Sequence, residues 1–144
     1  MKGRESHIMR IMAIDYGDAR TGLAVSDPTG LICGEAWTIQ EWNMERAAQR
    51  ICDEAKARGV ERFVLGLPRN MDGSEGPRAE LSRRLAGLLS ERCDIPVTLW
   101  DERRSSIEAH AILHAAGKKE RTHRRTVDAV AASLILEGYL GSLR

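Results

Sequence analysis

Three acids stand where a chain could do chemistry without a nucleophilic side chain. Asp15 and Glu102 come at the ends of short apolar segments, and Asp128 is an acidic exception in the otherwise apolar stretch Val127 to Leu140. Asp101 stands beside Glu102. Carboxylates brought together repel one another unless divalent cations lie between them, and an all-oxygen donor set suits Mg²⁺ or Mn²⁺. Two such ions, held about 4 Å apart, would align a water and a leaving oxygen about a phosphodiester and stabilise the developing charge. No His or Ser triad competes with this reading. Taken alone, Asp128 serves equally well as a first-turn acid favoured by the helix macrodipole. It joins the cluster if its helix crosses the edge of a sheet.

Other chemistries find less support. His110 and His114 have the i, i+4 spacing of a metal pair, but no Glu follows His110, so HExxH fails. The pair reads as surface or core-edge histidines, and His123 stays open because it lies shortly before Asp128. There is no GxxxxGK[ST] and no GxGxxG, which removes the usual support for ATP or NAD. Cys33, Cys52 and Cys93 are odd in number and widely spaced without CxxC, against both a disulfide framework and a zinc knuckle. They read as reduced thiols.

The densest charge cluster is Lys118 to Arg125, KKERTHRR, with five basic residues in eight: Lys118, Lys119, Arg121, Arg124 and Arg125. A solvated loop between two helices is its simplest reading. Leading directly to Asp128, the same loop suits a phosphate backbone, and Arg20, Arg69 and Arg103 could extend that surface. The whole chain makes no such case, since 22 Lys and Arg against 21 Asp and Glu leave a net charge of +1. Aromatic residues at 4% argue against a stacking platform and for backbone and shape recognition.

The elements that must position these residues follow from periodicity. Ile8 to Ile14, Gly22 to Ser26 and Ile32 to Ile39 read as an antiparallel meander of three strands. Met44, Ala47, Ala48, Ile51, Cys52 and Ala55 keep helical spacing, with Asn43 as N-cap and Gly59 as stop. Arg62 to Leu67 is a buried-type strand, Leu81, Leu85, Leu88 and Leu89 mark a second helix, and Pro96 to Trp100 is a further strand. Ser105 and Glu108 have capping-box spacing ahead of a third helix that stops at Gly117, and Val127 to Leu140 is a fourth.

The order βββ-α-β-α-β-α-α predicts an α/β fold: a mixed five-stranded sheet flanked by helices, with the first, fourth and fifth strands parallel. In such sheets ligands gather at the carboxyl ends of the parallel strands, where Asp15 and Asp101–Glu102 fall. Asp27 ends a strand running the other way, so it is expected at the opposite edge in an Asx-type turn with Pro28.

A length of 144 residues, 42% hydrophobic and 30% charged, suits one folded domain over residues 8–144. Residues 1–7 read as a polar N-terminal extension, open to disorder. No apolar run has the length of a signal peptide or a membrane span, so a soluble cytoplasmic protein is expected.

Together the motifs resemble the YqgF/RuvX family: Asp15-Tyr16-Gly17 with Arg20, Gly22 and Ala24-Val25-Ser26-Asp27; Gly66-Leu67-Pro68 with Asn70-Met71-Asp72-Gly73-Ser74-Glu75; Asp101-Glu102-Arg103; and Val127-Asp128-Ala129 with Ala131-Ala132 and Leu136. The match runs in order over about residues 8 to 143. The resemblance implies a ribonuclease H-like fold and phosphodiester hydrolysis with Mg²⁺ or Mn²⁺. Members are described as Holliday-junction resolvases and as nucleases maturing the 5′ end of small-subunit ribosomal RNA. By position in the motifs, Asp15, Glu102 and Asp128 would be the metal ligands and Asp101 a helper. Two departures, Arg104-Ser105-Ser106 and Arg69, stand where the family more often has an apolar residue with Ser/Thr-Thr and an aliphatic residue. Both alter charge or polarity beside the site and leave its ligands intact.

Three functions remain to be weighed. A metal-dependent endonuclease acting on structured nucleic acid leads, with precursor ribosomal RNA ahead of four-way DNA junctions. An actin-like or sugar-kinase-like ATPase also begins with a strand and Asp-x-Gly but needs two lobes, and this length supplies one. A binding module without catalysis is opposed by retention of all three acids. A resolvase would need two symmetric sites and hence a homodimer, whereas a monomer would favour RNA trimming.

Overall fold

The computed structural model describes residues 8–104 and 120–143, and the side chains of 8–103 and 129–143. Strand β1 (Ile11–Asp15) lies at the centre of the sheet. Its residues 11 to 14 are all buried, the continuous apolar run of a strand covered on both faces. Strands β2 (Arg20–Ser26) and β3 (Cys33–Gln40) extend it antiparallel on one side, while β4 (Arg62–Leu67) and β5 (Val97–Asp101) extend it parallel on the other. The order is β3-β2-β1-β4-β5, so the expected mixed five-stranded sheet and its parallel trio are both present.

One face carries helices α1 (Met44–Ala57) and α2 (Pro77–Arg92) over a core of Met12, Ile14, Leu23, Ile51, Phe63, Leu65, Leu85 and Leu89. The other carries the long helix α3 (Glu120–Ser142), whose Ala132, Ile135, Leu136 and Leu140 pack on Ile11, Ala13, Ala24, Val64 and Trp100. Alternation along each strand therefore sorts every residue onto the α1/α2 face or the α3 face. Asn43 caps α1 as expected, its Oδ1 accepting from the Arg46 backbone N–H at 2.9 Å, and Gly59 at φ +67° follows the helix end. Among the described residues no helix is long and apolar enough to cross a membrane.

Three expectations need correction. The first strand starts at Ile11 rather than Ile8. Helix α3 starts at Glu120, so Arg121, His123, Arg124 and Arg125 ride on its first turns and not on a loop. No Gly or Pro interrupts that stretch, and Glu and Arg are good helix formers, so clustered charge alone does not break it. Asp128 consequently stands in the third turn, beyond reach of a first-turn cap. The helix expected over Ser105 to Gly117, with His110, His114, Lys118 and Lys119, lies outside the described residues.

The three cysteines are free, and Cys52 and Cys93 meet Sγ to Sγ at 2.8 Å between α1 and the end of α2. Burial, reinforced by the neighbouring thiol, pushes the Cys52 thiol above its ordinary value. An unfolded chain therefore ionises this thiol first, and stability is lost as pH rises beyond the ordinary thiol range of about 8.5. The urea midpoint should fall between pH 8 and pH 10, and Cys52→Ala should flatten that fall. At fixed pH, Phe63→Ala should cost about 3–5 kcal/mol and Asn43→Ala about 1 kcal/mol, read by urea denaturation.

Candidate active site

The site is built at the carboxyl edge of the parallel strands, on the α3 face. Ala13 packs on that face, so Asp15, two residues on, points the same way. The pairing Ile14↔Leu65 sets Asp15 level with Gly66, and Gly66↔Trp100 carries the level across to β5. Trp100 also faces α3, and Glu102 follows two residues later in a single 3₁₀ turn, Glu102–Arg104. That turn folds the Glu102 carboxylate back over Gly66: a Cβ at position 66 would collide with Glu102 Oε2 and lie 2.8 Å from Ile135 Cδ1. Asp15 and Glu102 thus come from either side of one bare strand position.

Helix α3 runs from this edge toward the opposite one. Ile135 sits against Gly66, while Glu137 Oε2 accepts from the Cys33 backbone N–H at 3.5 Å, near the start of β3. Asp128 precedes Ile135 by seven residues, about 10 Å back along the axis on the carboxyl-edge side. Its side chain lies outside the described residues, as do those of Arg121, His123, Arg124 and Arg125. Among the described residues no three His, Cys, Asp or Glu side chains converge on a metal-sized space. The two described acids do fit a hard cation. Burial pushes the Glu102 carboxyl above the ordinary carboxylate range, with Arg78 opposing and Asp101 reinforcing the rise. No described residue donates a hydrogen bond to it, so a bound cation would join Arg78 in compensating its charge.

Asp101 takes a different part. It points to the other face, where its carboxylate accepts from the Arg103 backbone N–H at 2.9 Å and from Arg103 Nη2 at 2.7 Å. The Arg103 side-chain bond is the largest of the influences that lower its pKa. Arg69 likewise lies 3.5 Å from Glu75, so Arg69 and Arg103 are engaged in ion pairs that shape the edge. Arg20 lies two residues from Gly22, the partner of Asp15, and shares the α3 face with it. Asp27 is at the opposite edge, as expected, where its Oδ1 accepts from Thr29 Oγ1 at 2.8 Å and from the Leu31 backbone N–H at 3.2 Å.

Sequence reasoning missed two contributions. Arg78, in the first turn of α2, donates to Asp18 Oδ1 at 3.0 Å and to the Tyr16 carbonyl at 3.3 Å, tying the turn after β1 to the helix beside Glu102. The other is spatial: Gly17 and Gly66 are close-approach positions. A Cβ at Gly17 would strike the Arg20 carbonyl oxygen, and the turn there is held by Thr21 Oγ1 against Gly17. Both glycines stood in the motifs, but nothing in one sequence says which neighbour they admit.

A five-stranded sheet of this order and pairing, covered by helices on both faces, has a ribonuclease H-like fold. Solved structures of similar fold include RuvC of Thermus thermophilus, 13% identical with a TM-score of 0.59 over 93% of this chain and 96% of that one. Another is the Fowlpox virus resolvase with substrate Holliday junction DNA, 14% identical with a TM-score of 0.59 over 94% and 99%. The chain belongs to the RuvX family, whose model, described as Holliday junction resolvase, matches residues 9–142. Similar curated relatives carry the name "Putative pre-16S rRNA nuclease". One from Pelotomaculum thermopropionicum is 42% identical, covering 93% of this chain and 88% of its own length; one from Myxococcus xanthus is 40% identical, covering 94% and 90%.

Gly66→Ala should displace the Glu102 carboxylate or Ile135 and cost about 1–3 kcal/mol, visible as a lower Tm. Glu102→Gln should do the reverse in EDTA, raising stability by about 1 kcal/mol or less, because it removes a half-buried charge without changing shape. Thermal denaturation of both variants in EDTA checks the pair.

Proposed function

We propose that this protein is a divalent-metal-dependent endonuclease hydrolysing phosphodiester bonds in structured nucleic acid, with 5′-end maturation of precursor 16S ribosomal RNA in the cytoplasm as its reaction. The observation that carries it is the placement of Asp15 and Glu102 on one face across Gly66, with the Glu102 carboxyl withdrawn from water. The curated relatives' name favours ribosomal RNA. The second reading, Holliday junction resolution, is favoured by the family's description and by the junction-bound viral resolvase of similar fold.

Asp15, Glu102 and Asp128 would hold Mg²⁺ or Mn²⁺, two ions in the reading adopted here. Bound there, the ions supply a polarised water and charge stabilisation at the phosphorus. The chain's own residues hold and orient the strand. Arg20, on the α3 face beside Asp15, meets a phosphate entering from the β2 side, and Arg69 and Arg103 line the β4–β5 side. Lys118, Lys119, Arg121, Arg124 and Arg125, which precede Asp128 in the chain, would contact the same backbone. Asp101 orients Arg103. Cation contacts of this kind place the backbone without reading bases, and they weaken with salt.

End-labelled precursor ribosomal RNA and a four-way DNA junction, each with Mg²⁺, Mn²⁺ or EDTA, test the reading. Discrete RNA cleavage near the mature end is expected, lost in EDTA and reduced about a hundredfold or more in Asp15→Asn. Paired symmetric nicks in the junction, with a twofold dimer by light scattering, would favour resolution. Binding of either substrate without cleavage would leave a non-catalytic module.

A further inference from the structure

Of the three tryptophans, Trp100 is buried and Trp37 is half-buried, with the Arg58 guanidinium carbon 4.0 Å above its ring centroid. Trp42 is 75% exposed and belongs to neither core. It sits in the short turn between β3 and α1, and strand pairing fixes where that turn lies. Asp15 pairs with Gly22 and Gly22 with Thr38, so Thr38 is level with Asp15, two strands across and about 10 Å away. Two antiparallel steps turn β3 back to the direction of β1, so Trp42, four residues after Thr38, stands at the same carboxyl edge as the acids.

The turn is pinned on both sides of the ring. The Glu41 backbone N–H donates to the Ala19 carbonyl at 2.9 Å, the Asn43 backbone N–H to Glu41 Oε2 at 3.2 Å, and Asn43 in turn caps α1. Cations gather beside it. Arg46 and Arg50, one turn apart on α1, reach the Glu41 carboxylate at 3.2 and 3.8 Å. Arg50 also donates to the Gln40 carbonyl, and with Arg20, Thr38 and Gln40 it lines one cleft at the end of β3. Three arginines against one carboxylate leave this flank positive. Glu45 lines a different groove, with Arg84 and Glu91, and Asp18 is engaged by Arg78.

We propose that this flank binds a single-stranded stretch of the substrate RNA, with its backbone on Arg20 and Arg50 and one unpaired base stacked on Trp42. The inference rests on the nuclease reading above and adds a substrate feature, an unpaired segment adjoining the cleaved bond. Single-strand surfaces combine a cationic track with an aromatic face, and stacking tolerates every base. One tryptophan makes no platform for successive bases, but it holds one. The track is continuous with the acids through Arg20, which shares the face of Asp15. The residues flanking the ring, Glu41, Asn43 and Arg46, are polar, which suits a stacked base better than an apolar protein face.

The test compares RNA hairpins carrying a single-stranded 5′ tail, a 3′ tail or blunt ends, bound to the full chain with Asp15→Asn in Mg²⁺. Quenching of intrinsic fluorescence reads stacking on Trp42 directly, since the other two tryptophans are covered. One tailed hairpin is expected to quench it and to bind about tenfold tighter than the blunt one. Adding Trp42→Ala should abolish the quench and that preference while leaving blunt binding within about threefold, and adding Trp42→Phe should keep the preference. Adding Arg50→Ala should lower the slope of log affinity against log salt by about 0.7. In the otherwise unchanged chain, Trp42→Ala should raise KM for a tailed precursor about tenfold with little change in kcat. Equal binding of tailed and blunt hairpins, or a tail preference that survives Trp42→Ala, would overturn the surface; cleavage that Asp15→Asn abolishes would leave the nuclease reading standing. Loss of blunt binding in Trp42→Ala would also overturn it, making Trp42 part of the fold. A tail preference that depends on Trp42, without cleavage by the unchanged chain, would keep the surface and remove the nuclease reading.

Discussion

The site depends on a missing side chain. Gly66 lies in β4, between the strands that carry Asp15 and Glu102, and the α3 face above it is filled from elsewhere by a carboxylate and an isoleucine methyl. Any Cβ there would have to displace one or the other. Because α3 packs at van der Waals distance on this strand, the same position sets how closely the helix carrying Asp128 approaches the sheet. Packing of the α3 face and geometry of the acids are therefore one constraint, since close-packed interiors do not absorb an extra methyl without a shift elsewhere.

Electrostatics then separates two acids that are neighbours in sequence. Asp101 and Glu102 alternate across the sheet edge, and the alternation hands them opposite environments. Asp101 is satisfied by Arg103 and held in the charged form, whereas Glu102 is desolvated and held toward the neutral one. A carboxylate kept under-compensated by its fold is unfavourable for the metal-free protein and suited to a cation. The surrounding arginines are spent differently from first appearance: Arg78, Arg83 and Arg103 brace the turns and the loop that form the rim.

Much of this was legible because apolar periodicity reports burial directly. The β4 boundaries, the Asn43 cap, the parallel trio and the placement of Asp15 and Glu102 at one edge all follow from alternation and helical spacing. The position of Asp27 at the opposite edge followed from the direction of its strand alone. The start of α3 was not legible, because a charged stretch without Gly or Pro is equally compatible with a solvated loop and with the exposed first turns of a helix. Arg69 and Arg103 were legible as cations but not as parts of ion pairs, since their partners Glu75 and Asp101 are identified by the shape of the loop and the turn.

The sequence by itself determined the order of elements, the edge at which the acids gather, and the family to which the chain belongs, because each is written in residue type and spacing along one dimension. Only the tertiary structure decided which faces Asp101 and Glu102 take, that Glu102 folds back over Gly66, and that Arg78 stands near it. Those facts are distances between segments far apart in the chain. They are set by strand register and close packing, which no local pattern of residues encodes.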